Sequence, residues 1–398
     1  MSCGGDLQSA RRVATLARSS LLLAEAFLLA IGAGCALAPS APKELQRCLW
    51  ITRWDWRTRE DVESAVTNAA DAGFTTIMFQ VRGNGTVLYP SSIEVWSEQM
   101  NFQHPGFDPL QIAVAAAHAR GVRILAWMNV TPGWRGEDNP KDPRQLWNQR
   151  PEWFLADAQG KRQPRTKAGY VHLNPCLPEV RAYLASLARE LAERYEVDGI
   201  HLDYIRFPSR DPQERGAGYP ADRRSAELFK KQKIADPVQE PSLYEGWKAE
   251  CVTQLVRDIR TAVAGTARRP ALSAAVWPTP RVARERVCQE WDAWAKERIV
   301  EALFPMNYQS DDGVFSANVS ECLAGSHGVP IVVGISPDKH KTASQTVRQI
   351  ELAQSRKTAG VAVFGYQSLF GRPGEPPGKK QVEVRQAVFA SRARPWSR

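Results

Sequence analysis

The 398-residue chain lacks the short motifs that identify several large enzyme classes. It has no Gly-rich phosphate-binding loop, no His-x-x-x-His pair and no Ser-centred nucleophile elbow. These motifs supply phosphate binding, zinc ligation and an activated serine, respectively. Nucleotide hydrolysis, zinc-dependent hydrolysis and serine esterase activity are therefore without support, and neither a metal nor a cofactor is predicted.

Cysteine is sparse and scattered. Of the seven cysteines, five lie beyond residue 38, far apart and without a Cys-x-x-Cys pair: Cys48, Cys176, Cys251, Cys288 and Cys322. This spacing supports neither a metal site nor a disulfide framework, although a single disulfide remains an alternative. We expect most of these thiols to be buried among apolar side chains.

The N-terminal apolar run is too short for a comfortable membrane span. It extends from Leu21 to Ala33, is interrupted by Glu25, and follows Arg11, Arg12 and Arg18. A basic region, an apolar core and small residues in that order are typical of a secretory signal. Residues 1–38 are therefore predicted to be a signal peptide or lipoprotein signal, and residues 39–398 a single domain.

Two processing sites are compatible with this segment. Cleavage after Ala38 would release a periplasmic or secreted protein. Cys35 resembles a lipoprotein acceptor, although Gly32 stands where such motifs carry Leu, and a lipidated Cys35 would attach the chain to the outer membrane. An uncleaved anchor or a disordered start is the remaining alternative. Export is the prediction common to both processing sites.

Positive charge is in excess but not concentrated. The chain has 52 Lys and Arg against 43 Asp and Glu, which gives a net charge of +9. No polybasic block or RNA-binding signature is present, so no nucleic-acid partner is predicted. A basic enzyme acting on an acidic polymer, such as cell-wall material, is consistent with this charge.

Strand-like and helix-like segments alternate eight times, which predicts a single (β/α)8 TIM barrel in the α/β class. The predicted strands are Leu49–Trp54, Thr75–Val81, Val122–Met128, Gly199–Asp203, Leu272–Val276, Ala302–Met306, Ile331–Ile335 and Val361–Tyr366. The predicted helices include Thr58–Ala72, Asp108–Arg120, Pro178–Tyr195, Leu243–Val263, Glu285–Arg298, Thr342–Arg356 and Gln381–Arg392. Long loops follow strands two, three and four, at residues 83–107, 130–177 and 205–241, which predicts a cleft on that rim.

The stretch 197–208 carries the most informative residues of the chain. An apolar strand ends at Asp203, and the carboxyl ends of barrel strands are where active sites lie. Asp203 is therefore the first candidate for a catalytic carboxylate. The alternative is that Asp203 forms a structural ion pair with Arg206 or Arg82.

Nine motifs along the chain resemble those of the glycoside-hydrolase-like family 10 proteins. They are Ile51–Trp56, Phe79–Gly85, Leu88–Ser92, Gly106–Leu110, Ala117–Gly121, Ala126–Asn129, His172–Pro175, Asp198–Asp203 and Pro305–Tyr308. This bacterial group includes divisome-associated enzymes that cut denuded peptidoglycan glycan strands. The resemblance implies an exported glycoside hydrolase whose partner is peptidoglycan glycan or a related polysaccharide. The alternative is a non-catalytic carbohydrate-binding barrel that has lost one carboxyl, because Ile205 stands where family-18 chitinases carry their acidic Glu.

Hydrolysis of a glycosidic bond normally requires a second carboxyl group. The sequence offers several at strand ends or rim loops: Asp55, Glu94, Glu290, Asp311 and Asp312. Asp55 follows the first strand directly, and Asp311 lies three residues after a strand-end motif. We predict that Asp55 and Asp311 join Asp203 as catalytic candidates.

Ten further side chains are predicted to bind substrate: Arg82, Tyr89, Trp127, Asn129, His201, Tyr204, Arg206, Asn307, Tyr308 and Tyr366. Most lie at the ends of predicted strands. Arg82 and Asn129 would bind sugar hydroxyls or an acidic substituent, and aromatic rings would stack on sugar rings. The alternatives are that the loop aromatics only pack the loops, and that His201 hydrogen-bonds inside the barrel.

Overall fold

The computed structural model describes residues 45–167, 169–210 and 218–390, with side chains to residue 386. The predicted signal, residues 1–38 with Cys35, lies outside the described residues. Among the described helices, none combines the length and apolar character that a membrane crossing requires. The prediction of one domain over residues 39–398 stays a prediction.

The core of the fold is an eight-stranded parallel barrel. Ten strands are described, numbered in chain order: β1 (Gln46–Ile51), β2 (Thr76–Arg82), β3 (Arg123–Asn129), β4 (Pro132–Arg135), β5 (Tyr170–His172), β6 (Gly199–Asp203), β7 (Ala271–Val276), β8 (Ala302–Pro305), β9 (Val332–Ile335) and β10 (Gly360–Phe364). Eight of them pair in the order β8-β7-β6-β3-β2-β1-β10-β9. Isolated bridges from Leu303 to Ile331 and from Met306 to Gly334 join β8 to β9 and nearly close the barrel.

Helices surround the barrel. They are α1 (Arg59–Asp71), α2 (Pro109–His118), α3 (Leu146–Gln149), α4 (Pro178–Arg194), α5 (Arg223–Lys233), α6 (Pro241–Ala264), α7 (Pro280–Val287), α8 (Trp291–Lys296), α9 (Asp312–Gly325), α10 (Ala343–Ser355), α11 (Gln367–Phe370) and α12 (Lys379–Ala390). Thr58 and Asp108 cap α1 and α2 by accepting hydrogen bonds from Asp61 N and Gln111 N. These polar caps set the starts of the helices. The predicted barrel is confirmed.

Three local predictions differ from the structure. The predicted helix Glu285–Arg298 is two helices, because Cys288 adopts a left-handed conformation with φ of 53° and ends α7. Strands β4 and β5, which were not predicted, pair as a two-stranded antiparallel sheet inside the segment after β3. Helices α5 and α9 were not predicted, since α5 is mostly charged with few apolar residues and the apolar residues of α9 follow no helical period.

Alternate residues of each strand face two different cores. Ile51, Ile200 and Leu202 pack under the surrounding helices. Trp50 and Trp127 face the interior of the barrel, where they join one apolar cluster. This alternation, which follows from the two-residue period of a strand, decides which strand residues can reach the mouth of the barrel.

The first and last strands approach so closely that only glycine fits at residue 360. A Cβ atom on Gly360 would overlap the backbone oxygen of Gln46 on β1. We expect Gly360→Ala to lower the free energy of unfolding by about 1–3 kcal/mol, because the paired strands must separate. Gly246→Ala is the matched control, since Gly246 lies in α6 with open space around it, and alanine there should stabilise by up to about 1 kcal/mol. Urea unfolding of both variants measures the difference, and equal stabilities would contradict this packing.

Candidate active site

Asp203 lies at the mouth of the barrel, at the carboxyl end of β6. The residue is 7% exposed. Its Oδ1 accepts a hydrogen bond of 2.6 Å from the backbone nitrogen of Tyr204. Asn129 of β3 is its partner across the ladder. The structure therefore brings Asp203 and Asn129 together on adjacent strand ends, as the sequence predicted for the rim.

An aromatic wall stands near this carboxylate. Tyr308 stacks on Phe364 with ring centroids 5.5 Å apart, and Phe364 contacts the edges of Trp50 and Trp127. Burial, followed by the negative charge of Asp203, raises the pKa of Tyr308. The hydroxyl of Tyr308 therefore stays protonated and can donate a hydrogen bond beside Asp203.

Two buried polar atoms of β3 have no hydrogen-bond partner among the described residues. They are Oδ1 of Asn129 at the mouth and Nε1 of Trp127, one inward-facing residue below it. The other end of the Asn129 amide donates to the backbone oxygen of Gly83 at 3.1 Å, which fixes its orientation. Because buried polar atoms are normally hydrogen-bonded, a donor and an acceptor left over here can bind ligand hydroxyls.

Tyr204 and Arg206 form the loop that leaves β6. Tyr204 has a φ of 48°, an uncommon conformation for a residue with a side chain. The Arg206 guanidinium lies 4.5 Å from the Tyr204 ring and 5.7 Å from the Trp277 ring, and it donates to the backbone oxygen of Phe207. Such backbone conformations often occur at functional sites.

His201 lies one inward-facing residue below Asp203, in the barrel interior. Its Nε2 accepts a hydrogen bond from the indole of Trp50 at 3.2 Å, so Nδ1 carries the proton and donates to Ser273 Oγ at 2.9 Å. Burial lowers the pKa of His201 to about 3. The ring is neutral, and both of its nitrogens are hydrogen-bonded inside the barrel, which agrees with the alternative role of His201. Its predicted sugar contact stays a prediction.

Arg82 is committed to groups of the protein itself. Its Nε and Nη2 bind both oxygens of Glu94 at 2.9 and 2.7 Å. Its Nη1 donates to the backbone oxygens of Asn129, Val130 and Pro132. These contacts give Arg82 and Glu94 a structural role, and the predicted sugar contact of Arg82 and the candidacy of Glu94 as second carboxyl stay predictions.

Three other predicted binding residues form hydrogen bonds with the surrounding helices. The hydroxyl of Tyr89 donates to Glu190 on α4. Tyr366 accepts from Asn68 on α1. Asn307 is fully buried and exchanges hydrogen bonds with residues of α9. Strand-end location alone did not indicate these contacts, because the partner of each lies on a helix.

The remaining candidates for a second carboxyl differ in their surroundings. Asp311 caps α9 by accepting from Val314 N, and Asp312 pairs with Arg348. Glu290 pairs with Arg284 near the surface. These contacts give each of the three side chains a structural role. The catalytic role of Asp311 stays a prediction.

Asp55 is buried on the rim beside the first strand. Its Oδ2 accepts from Thr52 N at 2.6 Å, and Oδ1 has no hydrogen-bond partner among the described residues. Burial raises the pKa of Asp55 to about 6. Asp55 is therefore the candidate second carboxyl whose surroundings most favour a proton near neutral pH.

Arg53 is a site residue that the sequence analysis missed. It lies two residues after the end of β1, and its guanidinium is buried at the same rim, next to Gly83. The signal was present, since Arg53 shares the motif Ile51–Trp56 with Asp55. Within the described ranges, no cluster of metal-ligating side chains was found.

The structure is an eight-stranded parallel barrel with a carboxylate and aromatic groups at its C-terminal mouth, where the active sites of such barrels lie. The model of the family glycosyl hydrolase-like 10 matches residues 45–338. The chain belongs to that family.

Individual relatives match smaller parts of the chain. Glycosyl hydrolase DigH of Escherichia coli (strain K12) is 34% identical over 144 residues, which cover 33% of this chain and 30% of the relative. DigH of Shigella flexneri gives the same figures. The matched region is therefore less than a third of the length of these curated relatives.

Solved structures show a similar fold at low sequence identity. The PgaB (BpsB) glycoside hydrolase domain from Bordetella bronchiseptica has a TM-score of 0.60 and 10% identity, covering 87% of this chain and 98% of that chain. The catalytic domain of beta-amylase from Paenibacillus polymyxa has a TM-score of 0.57 and 11% identity, covering 88% and 99%. At such identities the likeness shows the barrel fold alone.

The buried neutral ring of His201 predicts a specific pH dependence. Its pKa of about 3 lies below the ordinary value of 6.5. The contribution of neutral His201 to the free energy of unfolding is therefore complete above about pH 6.5 and is lost as the pH falls toward 3. Relative to His201→Asn, the wild type should lose about 2 kcal/mol of unfolding free energy between about pH 7.5 and about pH 5. Urea unfolding at both pH values tests this, and a constant difference between the two proteins would contradict it.

Proposed function

We propose that the chain is an exported glycoside hydrolase that cleaves bacterial cell-wall glycan, either peptidoglycan strands or a related polysaccharide. The observation that carries the proposal is Asp203, a carboxylate at the barrel mouth between an aromatic wall and unpartnered polar atoms. Membership of the glycosyl hydrolase-like 10 family supports a glycan-acting hydrolase. The motif resemblance and the basic net charge support an acidic cell-wall polymer.

In the proposed reaction, Asp203 is the charged carboxylate and Asp55 the proton donor. Hydrolysis needs one carboxyl to protonate the leaving oxygen and one to act as base or nucleophile. The pKa of Asp55, raised to about 6 by burial, keeps part of its population protonated near neutral pH. Trp127, Asn129 and Tyr308 would hold the sugar through the two unpartnered atoms and the Tyr308 hydroxyl.

A non-catalytic carbohydrate-binding barrel is the second candidate function. It is favoured by the fact that Glu94, Glu290 and Asp312 are all held in ion pairs. If Asp55 does not supply the second carboxyl, the cleft would bind glycan without cleaving it. The two functions are separated by whether the wild-type protein releases glycan fragments.

Replacement of Asp203 tests the catalytic proposal. Asp203→Asn keeps the shape of the side chain and removes its charge. We expect turnover of purified peptidoglycan glycan strands to fall by at least about 10²-fold, with little change in the melting temperature. Binding of the strands should persist, because the aromatic wall and Asn129 are unchanged. Chromatography of the released fragments measures turnover, and calorimetry measures binding and melting.

The matched control is Asp71→Asn. Asp71 is exposed at the C-terminal end of α1, and this end lies at the opposite end of the barrel from Asp203. This variant should keep wild-type turnover. Unchanged hydrolysis by Asp203→Asn would reject its catalytic role. Loss of folding would favour a structural ion pair, and binding without any cleavage by the wild type would favour the non-catalytic function.

Export is proposed from the sequence of residues 1–38. We expect the mature protein, expressed in a bacterial host, to lack the residues before Pro39 or to begin at a lipidated Cys35. Mass spectrometry of the intact protein and N-terminal sequencing distinguish the two forms. An intact Met1 on a folded cytosolic protein would contradict export.

A further inference from the structure

Arg53 carries a buried guanidinium that the proposed reaction does not use. The residue is 1% exposed. Its Nη2 reaches the hydroxyl of Tyr170 at 3.4 Å, while Nε and Nη1 have no hydrogen-bond partner among the described residues. Within those residues no carboxylate lies at ion-pair distance from Arg53. A desolvated cation with two unused donors is costly unless a partner is supplied.

The guanidinium of Arg53 lies beside the candidate active site. It packs so tightly against Gly83 that a Cβ there would overlap Nη1. The oxygen of Gly83 accepts from the Asn129 amide, and Asn129 is the ladder partner of Asp203. A chain of direct contacts thus connects Arg53 to the residues beside the catalytic candidate.

The outer side of Arg53 is covered by an aromatic ring. Trp54 lies with its ring 4.7 Å from the guanidinium carbon and is 46% exposed. The guanidinium of Arg135 lies 5.8 Å from the same ring. An exposed indole backed by a guanidinium can stack on a sugar ring while the guanidinium binds a substituent of that sugar.

Arg82, at the same rim, provides the comparison of a guanidinium whose hydrogen bonds are complete. All three of its nitrogens are bonded, two of them to Glu94. Arg53 lacks an equivalent acid among the described residues. The difference indicates that the partner of Arg53 comes from outside the protein and is an anion, since the planar fork of Arg matches a carboxylate in geometry and charge.

We infer that Arg53 determines substrate specificity by binding a carboxylate carried by the sugar itself. This inference rests on the proposed function. Cell-wall glycan offers two sources of carboxylate, the lactyl ether on alternate sugars and the stem peptides. The lactyl carboxylate is the one close enough to the ring for a buried side chain in the cleft wall. Neutral polymers of N-acetylglucosamine lack this group and should bind more weakly.

Binding measured in the Asp203→Asn background, where turnover is suppressed, tests this inference. The probes are native (peptide-free) peptidoglycan strands, the same strands with their carboxylates amidated, strands that keep their stem peptides, and chitin oligosaccharides. We expect the native strands to bind at least about tenfold more tightly than the amidated strands and the chitin oligosaccharides. Adding Arg53→Gln should weaken native-strand binding at least about tenfold and leave the neutral probes unchanged. Calorimetry gives each Kd.

Arg120→Gln is the control for loss of one positive charge. Arg120 is exposed in the turn before β3, at the opposite end of the barrel. The Arg120→Gln variant should leave the affinities for all the glycan probes unchanged. Arg53→Lys, which keeps the charge but loses the fork, should bind native strands with an affinity between those of wild type and Arg53→Gln.

The outcomes separate this inference from the proposed function. Equal binding of native and amidated strands would overturn the role of Arg53 even if Arg53→Gln failed to fold. Tight binding only of strands that keep their stem peptides would assign the carboxylate to the peptide and also overturn it. If the protein with wild-type Arg53 binds none of the glycans, the proposed function fails and the inference fails with it.

Discussion

The buried ion pair between Arg82 and Glu94 is the interaction on which the candidate site depends. Both side chains are 1% exposed. Arg82 also holds three backbone oxygens of the loop after β3, and the hydroxyl of Tyr183 on α4 donates to Glu94. Two charges removed from water are tolerated only when their hydrogen bonds are complete. This pair therefore fixes the loops after β2 and β3 relative to each other without any ligand.

That constraint explains the orientation of Asn129. Its backbone oxygen is bound by Arg82, and its side-chain amide is bound by Gly83. The remaining atom, Oδ1, is held in place with no partner among the described residues. A polar group held in advance loses little freedom on binding, so it contributes more to recognition than a mobile one would. The fixed orientation of Asn129 thus comes from the ion pair of Arg82 and Glu94, which has no part in the proposed contacts with the substrate.

The sequence predicted the barrel and the location of Asp203, because both follow from short-range patterns. The apolar run ending at Asp203 matches β6 residue for residue. The same patterns did not indicate the hydrogen bonds that Arg82, Tyr89, Asn307 and Tyr366 make with loops and helices, and the predicted sugar contacts of these residues stay predictions. A strand end shows that a side chain is near the rim, but the tertiary contacts decide whether it faces the cleft. Arg53 was missed because its motif, Ile51–Trp56, indicates only its location, and nothing local reveals that two nitrogens of its guanidinium lack a partner.

The floor beneath Asp203 separates its charge from the barrel interior. His201, Trp50 and Phe304 form a layer in which the only titratable ring is neutral and fully bonded. A layer of this kind supplies no compensating charge and keeps the local dielectric low. The charge of Asp203 is therefore governed by groups at the rim, where electrostatic interactions gain strength when a ligand excludes water. The barrel interior thus contributes to the candidate site by being uncharged, and the candidate residues lie at the ends of β3 and β6 and in the loops after β1 and β8.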